Sequence, residues 1–233
     1  MRSYLSGPCL RNTTRREGGT PLDGQRPRSC WSLDLERSLF NQFRQIGRDL
    51  FLRGLVNSHA GNMSVRVGGR MFITRRGSML GRLRRQDIVD VEIDLPSSHI
   101  LLASSEIGVH RKIYKETSSL SIVHAHPPFS VLLSFFEDEL LPRDSEGSYV
   151  LKRVPIVAVE KTVGAEEAAT AVAEALRDYK VVIMRGHGSF ARGEILEEAY
   201  MLTTALESSA FYLFYMREGA KEFRRFAERY KDW

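Results

Sequence analysis

No apolar run of 18 residues occurs anywhere in the 233-residue sequence, so no membrane-spanning helix is expected. Cysteine is nearly absent: Cys9 and Cys30 are the only two, and none follows Cys30. Disulfides therefore cannot staple the body of the protein, which fits a reducing cytoplasm. An apolar segment of the secretory kind is missing at the start, although an Arg-rich, acid-poor beginning resembles an organellar transit peptide.

A concentrated basic surface is missing as well, despite a net charge of +5 and a pI near 9.3. Residues 1–30 hold six arginines against Glu17 and Asp23, which accounts for +4 and leaves +1 for the other 203 residues. That balance removes the main argument for a nucleic-acid partner. The first 31 residues also lack any helical or strand period, so they are expected to be a flexible basic extension ahead of one domain over 32–233. No internal repeat or low-complexity linker divides that domain.

What is present is regular alternation of helix and strand signals. Leu35, Leu39, Phe43 and Ile46 recur at helical spacing, with Ser32 or Asp34 available as an N-cap and Gly54 near the end. "MSVRVGGRMFIT" alternates on both sides of Gly68 and Gly69, the pattern of a hairpin, and a further strand is expected over 87–94. A helix starting near Ser105 leads to an apolar strand carrying His124 and His126, then to a Pro-initiated helix, "PPFSVLLSFFE". "PRDSEG" reads as a loop and "VPIVAVE" as a strand. An Ala-rich helix over 165–179 packs Ala168, Val172 and Leu176 on one side, "KVVIMRGHGSFARG" reads as a strand running into a glycine-rich turn, and a long helix covers about 195–219. These elements spell one α/β domain.

The histidines carry the chemistry. Residues i and i+2 of a strand share a face, so His124 and His126 project side by side, as two ligands of one divalent metal would. An isolated pair of this kind serves equally well as core histidines bonded to carbonyls. His187 sits between two glycines at the end of an apolar strand, where missing side chains admit something bulky. Glu106, at a helix start, is a candidate fourth ligand, though an acid in a first turn is also ordinary capping. Three imidazoles and a carboxylate suit Zn²⁺, with Mn²⁺, Co²⁺ or Fe²⁺ as possible occupants. His59, His99 and His110 are assigned to structure or solvent.

Small polar groups form a second set. Gly61 and Asn62 lie in a turn before a strand, Gly77 ends another, and Ser104 and Ser105 precede a helix. Amides and hydroxyls at such a helix start suit a phosphate, while each piece alone is common turn chemistry.

Taken in order, "GNMS", "ITRRG", "SSE" with "VH" and "IY", "VHAHPP" and "GHGSFARG" with "EEAY" resemble the class II aldolase/adducin family, over about residues 35–218. The resemblance implies a three-layer α/β/α sandwich around a mostly antiparallel sheet, and a homotetramer with active sites between subunits. It makes His124, His126 and His187 ligands of one zinc per subunit, and Glu106 the fourth ligand and general base. Gly61, Asn62, Gly77, Ser104 and Ser105 match the family's phosphate-binding positions.

The reaction implied for aldolases of this family joins dihydroxyacetone phosphate to a short aldehyde such as L-lactaldehyde, or cleaves the product. The motifs contain no candidate Schiff-base lysine, so the charge of an enediolate would fall to an ion. Arg76 departs from the small residue often found before the glycine, and adds a phosphate contact or points to another anionic substrate. A tyrosine from a neighbouring subunit is also expected, with Tyr149, Tyr212, Tyr215 and Tyr230 as candidates. Should Glu106 not be the base, Asp144 and Glu146 are the next acids to test. Alternative readings on the same metal are an epimerase, a dehydratase or a sugar-acid phosphate decarboxylase. The alternative of another class is a metal-free, adducin-like interaction module.

Overall fold

Residues 33–95 and 98–219 are described by the structure, a computed structural model. The expected extension over 1–31 with both cysteines, the possible cap Ser32 and the candidate Tyr230 lie outside the described residues.

Helix α1 (Leu33–Leu52) buries Leu39, Phe43, Ile46 and Leu50, so the predicted stripe holds from Leu39 on, while Leu35 is half-buried. Strands β1 (Asn62–Val67) and β2 (Arg70–Thr74) form the expected hairpin, in which Val67 faces Arg70 across the Gly68-Gly69 turn. Strand β3 (Ile88–Glu92) pairs with β2. Then follow α2 (Ile107–Glu116), β4 (Ser121–Ala125) and α3 (Pro128–Leu133).

Two expectations need correction here. "PRDSEG" is not all loop: after the short strand β5 (Glu139–Leu140), the helix α4 (Ser145–Val150) begins within it. The Asp144 carboxylate accepts the Gly147 amide at 2.8 Å and caps that turn, a role equally open to an acid in a loop. The stretch "KVVIMRGHGSFARG" is not one strand and a turn. It folds back as β7 (Val181–Met184) and β8 (Gly188–Gly193), antiparallel, with His187 in the connection. Strand β6 (Val154–Val157) and helix α5 (Glu166–Asp178) precede the pair, and α6 (Leu196–Gly219) follows it.

The sheet runs β3-β2-β1-β4-β8-β7-β6-β5, and β6 with β7 is its one parallel pairing among the described strands. The sheet is thus mostly antiparallel, as expected. Helices α2 and α5 pack together and share a buried cluster with one face, where Ile122, Val182 and Phe190 meet Ile113, Tyr114, Val172 and Leu176. Helix α6 packs against β4 and β8 and carries α1, α3 and α4 on its sides. The result is an α/β/α sandwich with β4 near the middle of its sheet. Among the described residues no helix is long and apolar enough to cross a membrane.

Candidate metal and anion site

Strand pleat decides where the site lies. Ile122 belongs to the cluster under α2 and α5, and His124, two residues on, points to that same face, stacked on Phe190 at 4.1 Å with an 18° tilt. His126 lies one residue past β4, before Pro127, and its amide is held by the Leu55 carbonyl at 2.8 Å. His187 comes from the β7–β8 connection. The three rings form a near-regular triangle, with centroids 4.9, 4.9 and 5.0 Å apart.

One nitrogen from each ring lies within 4.8 Å of the others. Their hydrogen bonds suit ligation. His124 Nδ1 donates to the Ser189 carbonyl at 3.0 Å, which leaves its Nε2 bare, 3.1 Å from Nε2 of His126. His187 Nδ1 lies 3.3 Å from Met184 Sδ. Burial lowers the pKa of all three, that of His126 to about 4, so the triad is neutral at pH 7 and repels no cation. Gly188 makes room for it: a Cβ there would meet the Ala125 carbonyl oxygen at 2.4 Å and His126 Cδ2 at 2.8 Å.

Glu106 lines the same cleft, which has a volume of about 200 Å³. It holds the N-cap position of α2 without making a side-chain cap, so the ordinary capping role is not what this acid does. Only 3% of it is exposed, and among the described residues Oε2 has no hydrogen-bond partner and a bond from the Gly164 amide is the one influence that favours the charged form. Burial outweighs that bond and raises the carboxyl to about pKa 7.

The remaining expected positions, Gly61, Asn62, Arg76, Gly77, Ser104 and Ser105, all line this cleft. Asn62 faces His124 directly across β1 and β4. Gly61 has a φ of +78°, and a Cβ there would strike Val56 at 2.6 Å and the His124 carbonyl oxygen at 2.9 Å. The amides of Arg76 and Ser104 are taken by the Leu102 and Thr74 carbonyls. Among the described residues no hydrogen bond occupies the amides of Gly77 and Ser105, which leaves two donors for an anion.

Sequence reasoning missed part of the lining. His59, read as a turn residue, and Arg75 both border the cleft. They continue into an outer cleft of about 540 Å³ that adds Arg82 and Arg84. Arg84 pairs with Asp87, whereas Arg75, Arg76 and Arg82 have no ion pair among the described residues. The Arg75-Arg76 doublet was the available signal. A wider cleft of about 950 Å³ beside α1 holds none of the histidines, so convergent chemistry rather than volume marks the site. Tyr149, Tyr212 and Tyr215 are exposed and do not line the cleft of their own chain, and Asp144 is occupied as a cap.

The model of the "Class II Aldolase and Adducin N-terminal domain" matches residues 41–213. The chain belongs to the class II aldolase and adducin family. It is 31% identical over 172 residues to the L-fuculose phosphate aldolase of Methanocaldococcus jannaschii, covering 72% of this chain and 92% of that one. The crystal structure of L-fuculose-1-phosphate aldolase from Thermus thermophilus superposes with a TM-score of 0.75 at 44% identity, over 78% of this chain and 95% of the other. A 3-oxo-tetronate 4-phosphate decarboxylase of Escherichia coli is 29% identical over 191 residues, 77% of this chain and 88% of that one. With such relatives the chain is an enzyme of this family, a lyase by class, and class II aldolases are metal-dependent.

Proposed function

We propose that the protein is a zinc-dependent aldolase that reversibly cleaves L-fuculose 1-phosphate, or a similar ketose 1-phosphate, to dihydroxyacetone phosphate and L-lactaldehyde. The observation that carries this reading is the convergence of three neutral histidines beside a buried carboxyl group with an unpartnered oxygen. Neutral imidazoles with one nitrogen each within 4.8 Å of the others fit Zn²⁺, and a divalent ion held by His124, His126 and His187 would supply Lewis-acid polarisation of a ketose carbonyl.

Glu106 serves as both fourth ligand and general base. Burial raises the carboxyl in the metal-free site, and Oε2, which has no hydrogen-bond partner among the described residues, can take the proton from the carbon beside the carbonyl and return it. The Gly77 and Ser105 amides, the Asn62 carboxamide, the Ser104 hydroxyl and the turn at Gly61 hold the phosphate, with Arg76 adding a charge at the mouth. The same reading carries a homotetramer with active sites between subunits and a cytoplasmic location, both on family likeness.

One observation favours a second reading. Among the described residues Arg75, Arg76 and Arg82 have no ion pair at the mouth, which suits a substrate with two anionic groups, and a decarboxylase of such a substrate is among the relatives. Elemental analysis with assay against ketose 1-phosphates and a sugar-acid phosphate tests both. One zinc per chain with aldol cleavage supports the first reading. Zinc with decarboxylation moves the assignment to the second, and a protein that binds no divalent metal and turns over neither class sinks both.

A further inference from the structure

Behind the cleft runs a buried chain of polar side chains. Tyr114 Oη lies 2.8 Å from Ser64 Oγ, Ser64 Oγ lies 2.6 Å from His110 Nδ1, and His110 Nε2 lies 2.6 Å from Asn62 Oδ1. Two elements align it. His110 and Tyr114 are four residues apart on one face of α2, while Asn62 and Ser64 are two apart on one face of β1. All four residues are buried.

Such a chain can run in two directions, and its far end decides between them. Tyr114 is 1% exposed, and its hydroxyl has Ser64 Oγ as its hydrogen-bond partner. Arg66, the charged neighbour that acts on the phenol, is a guanidinium and accepts nothing. The phenol hydrogen must therefore go to Ser64, the Ser64 hydrogen to His110 Nδ1, and the single N–H of a neutral imidazole to Asn62 Oδ1. Burial keeps His110 neutral by lowering it to about pKa 3. In the reversed chain the Asn62 NH₂ would donate to His110 Nε2 and His110 Nδ1–H to Ser64, and either the phenol hydrogen or the Ser64 hydrogen would be left buried without an acceptor. That penalty disfavours reversal by about tenfold or more.

We propose that His110, oriented by Ser64 and Tyr114, is a positioning residue that turns the Asn62 carboxamide so that its NH₂ group is presented to the phosphate end of the cleft. The proposal rests on the phosphate reading given above. It assigns a function to a histidine that lies outside the triad: a carboxamide turned the other way would aim an oxygen at the anion. Asn62 then joins the free Gly77 and Ser105 amides as a third uncharged donor.

The direction is measured on the full wild-type chain labelled with ¹⁵N-histidine. The imidazole ¹⁵N shifts are expected to show the His110 hydrogen on Nε2 throughout pH 6 to 8, and a hydrogen on Nδ1 would overturn the proposal whatever the activity. Binding is measured with inorganic phosphate as a competitive inhibitor. His110→Leu is expected to weaken phosphate and raise KM for a ketose phosphate by roughly tenfold, the worth of one hydrogen bond to a charged group, with kcat within about threefold. His110→Gln, which can again donate to Asn62 and accept from Ser64, is expected to recover most of that loss. A folded His110→Leu protein with wild-type phosphate affinity also overturns the proposal, and if it fails to fold, the ¹⁵N result and the His110→Gln binding decide. Phosphate that does not compete even in the wild type defeats the phosphate reading itself, and with it the use made of Asn62, while the direction of the chain is still read from the ¹⁵N shifts.

Discussion

Replacing Glu106 by Gln should stabilise the metal-free protein in alkali, because the native carboxyl group sits where its charge is unwelcome. Burial raises it from 4.5 to about 7, so the folded state holds its proton more tightly than the unfolded state does. Stability from this group is therefore complete below pH 4.5, is lost as pH rises from there through 7, and stays lost above that. The difference corresponds to about 3 kcal/mol at pH 8, of which about 1 kcal/mol is already lost at pH 5. Gln cannot ionise. The stability difference between Glu106→Gln and wild type should consequently shift in favour of the variant by about 2 kcal/mol between pH 5 and pH 8. Urea unfolding of both metal-free proteins at one concentration measures it, and comparing two pH values cancels any pH-independent effect of the amide. Parallel pH profiles would refute the argument, since they would mean that the carboxyl group is solvated or paired in the folded protein.

Three further outcomes follow from the same geometry. His110 is buried and neutral with a pKa near 3, so the unfolded state gains protons below pH 6.5 and the folded state loses about 2 kcal/mol by pH 5 from this residue alone; His110→Gln should flatten the acid limb of the stability profile by that amount. Gly188→Ala puts a methyl group 2.4 Å from the Ala125 carbonyl oxygen, and is expected to cost about 1 to 3 kcal/mol and to lower zinc uptake by moving His126; an alanine protein with normal stability and metal content would show that the connection yields freely. His124→Ala, His126→Ala and His187→Ala should each lower zinc content and turnover together, and one zinc per chain in all three variants would displace the metal site from these rings.

How much of this was legible depends on the range of the interaction. The stripe of α1 from Leu39 to Ile46, the hairpin at Gly68-Gly69 and the shared face of Ala168, Val172 and Leu176 follow from local period, and each is present. The helix at Ser145 escaped because Asp144, its cap, is a residue that turns use as freely as helices do. The second strand after His187 escaped because the glycines of "GSFARG" read as a turn, whereas the segment is held between β7, just before it, and β4, whose residues lie more than 60 positions earlier. The candidate site residues were legible as motifs, but their convergence is made of such long-range pairings. No local spacing says that Asn62 faces His124, or decides that His110, assigned to structure or solvent, turns into the core.

The same helix shows why support and chemistry separate in this protein. Glu106, His110 and Tyr114 fall at four-residue intervals along one face at the start of α2, beside the apolar Val109 and Ile113. An apolar trio would pack there more simply. The inner two instead meet Ser64 and Asn62, and each of their side-chain polar atoms in that back row has a partner, which makes it rigid and unreactive. The outer member does not. Among the described residues Glu106 Oε2 is buried without a partner, and the nearby histidines hold bare nitrogens 3.1 Å apart, an arrangement that only a cation or a proton satisfies. In this row the unsatisfied group is the one that lines the cleft, and the satisfied pair lies behind it.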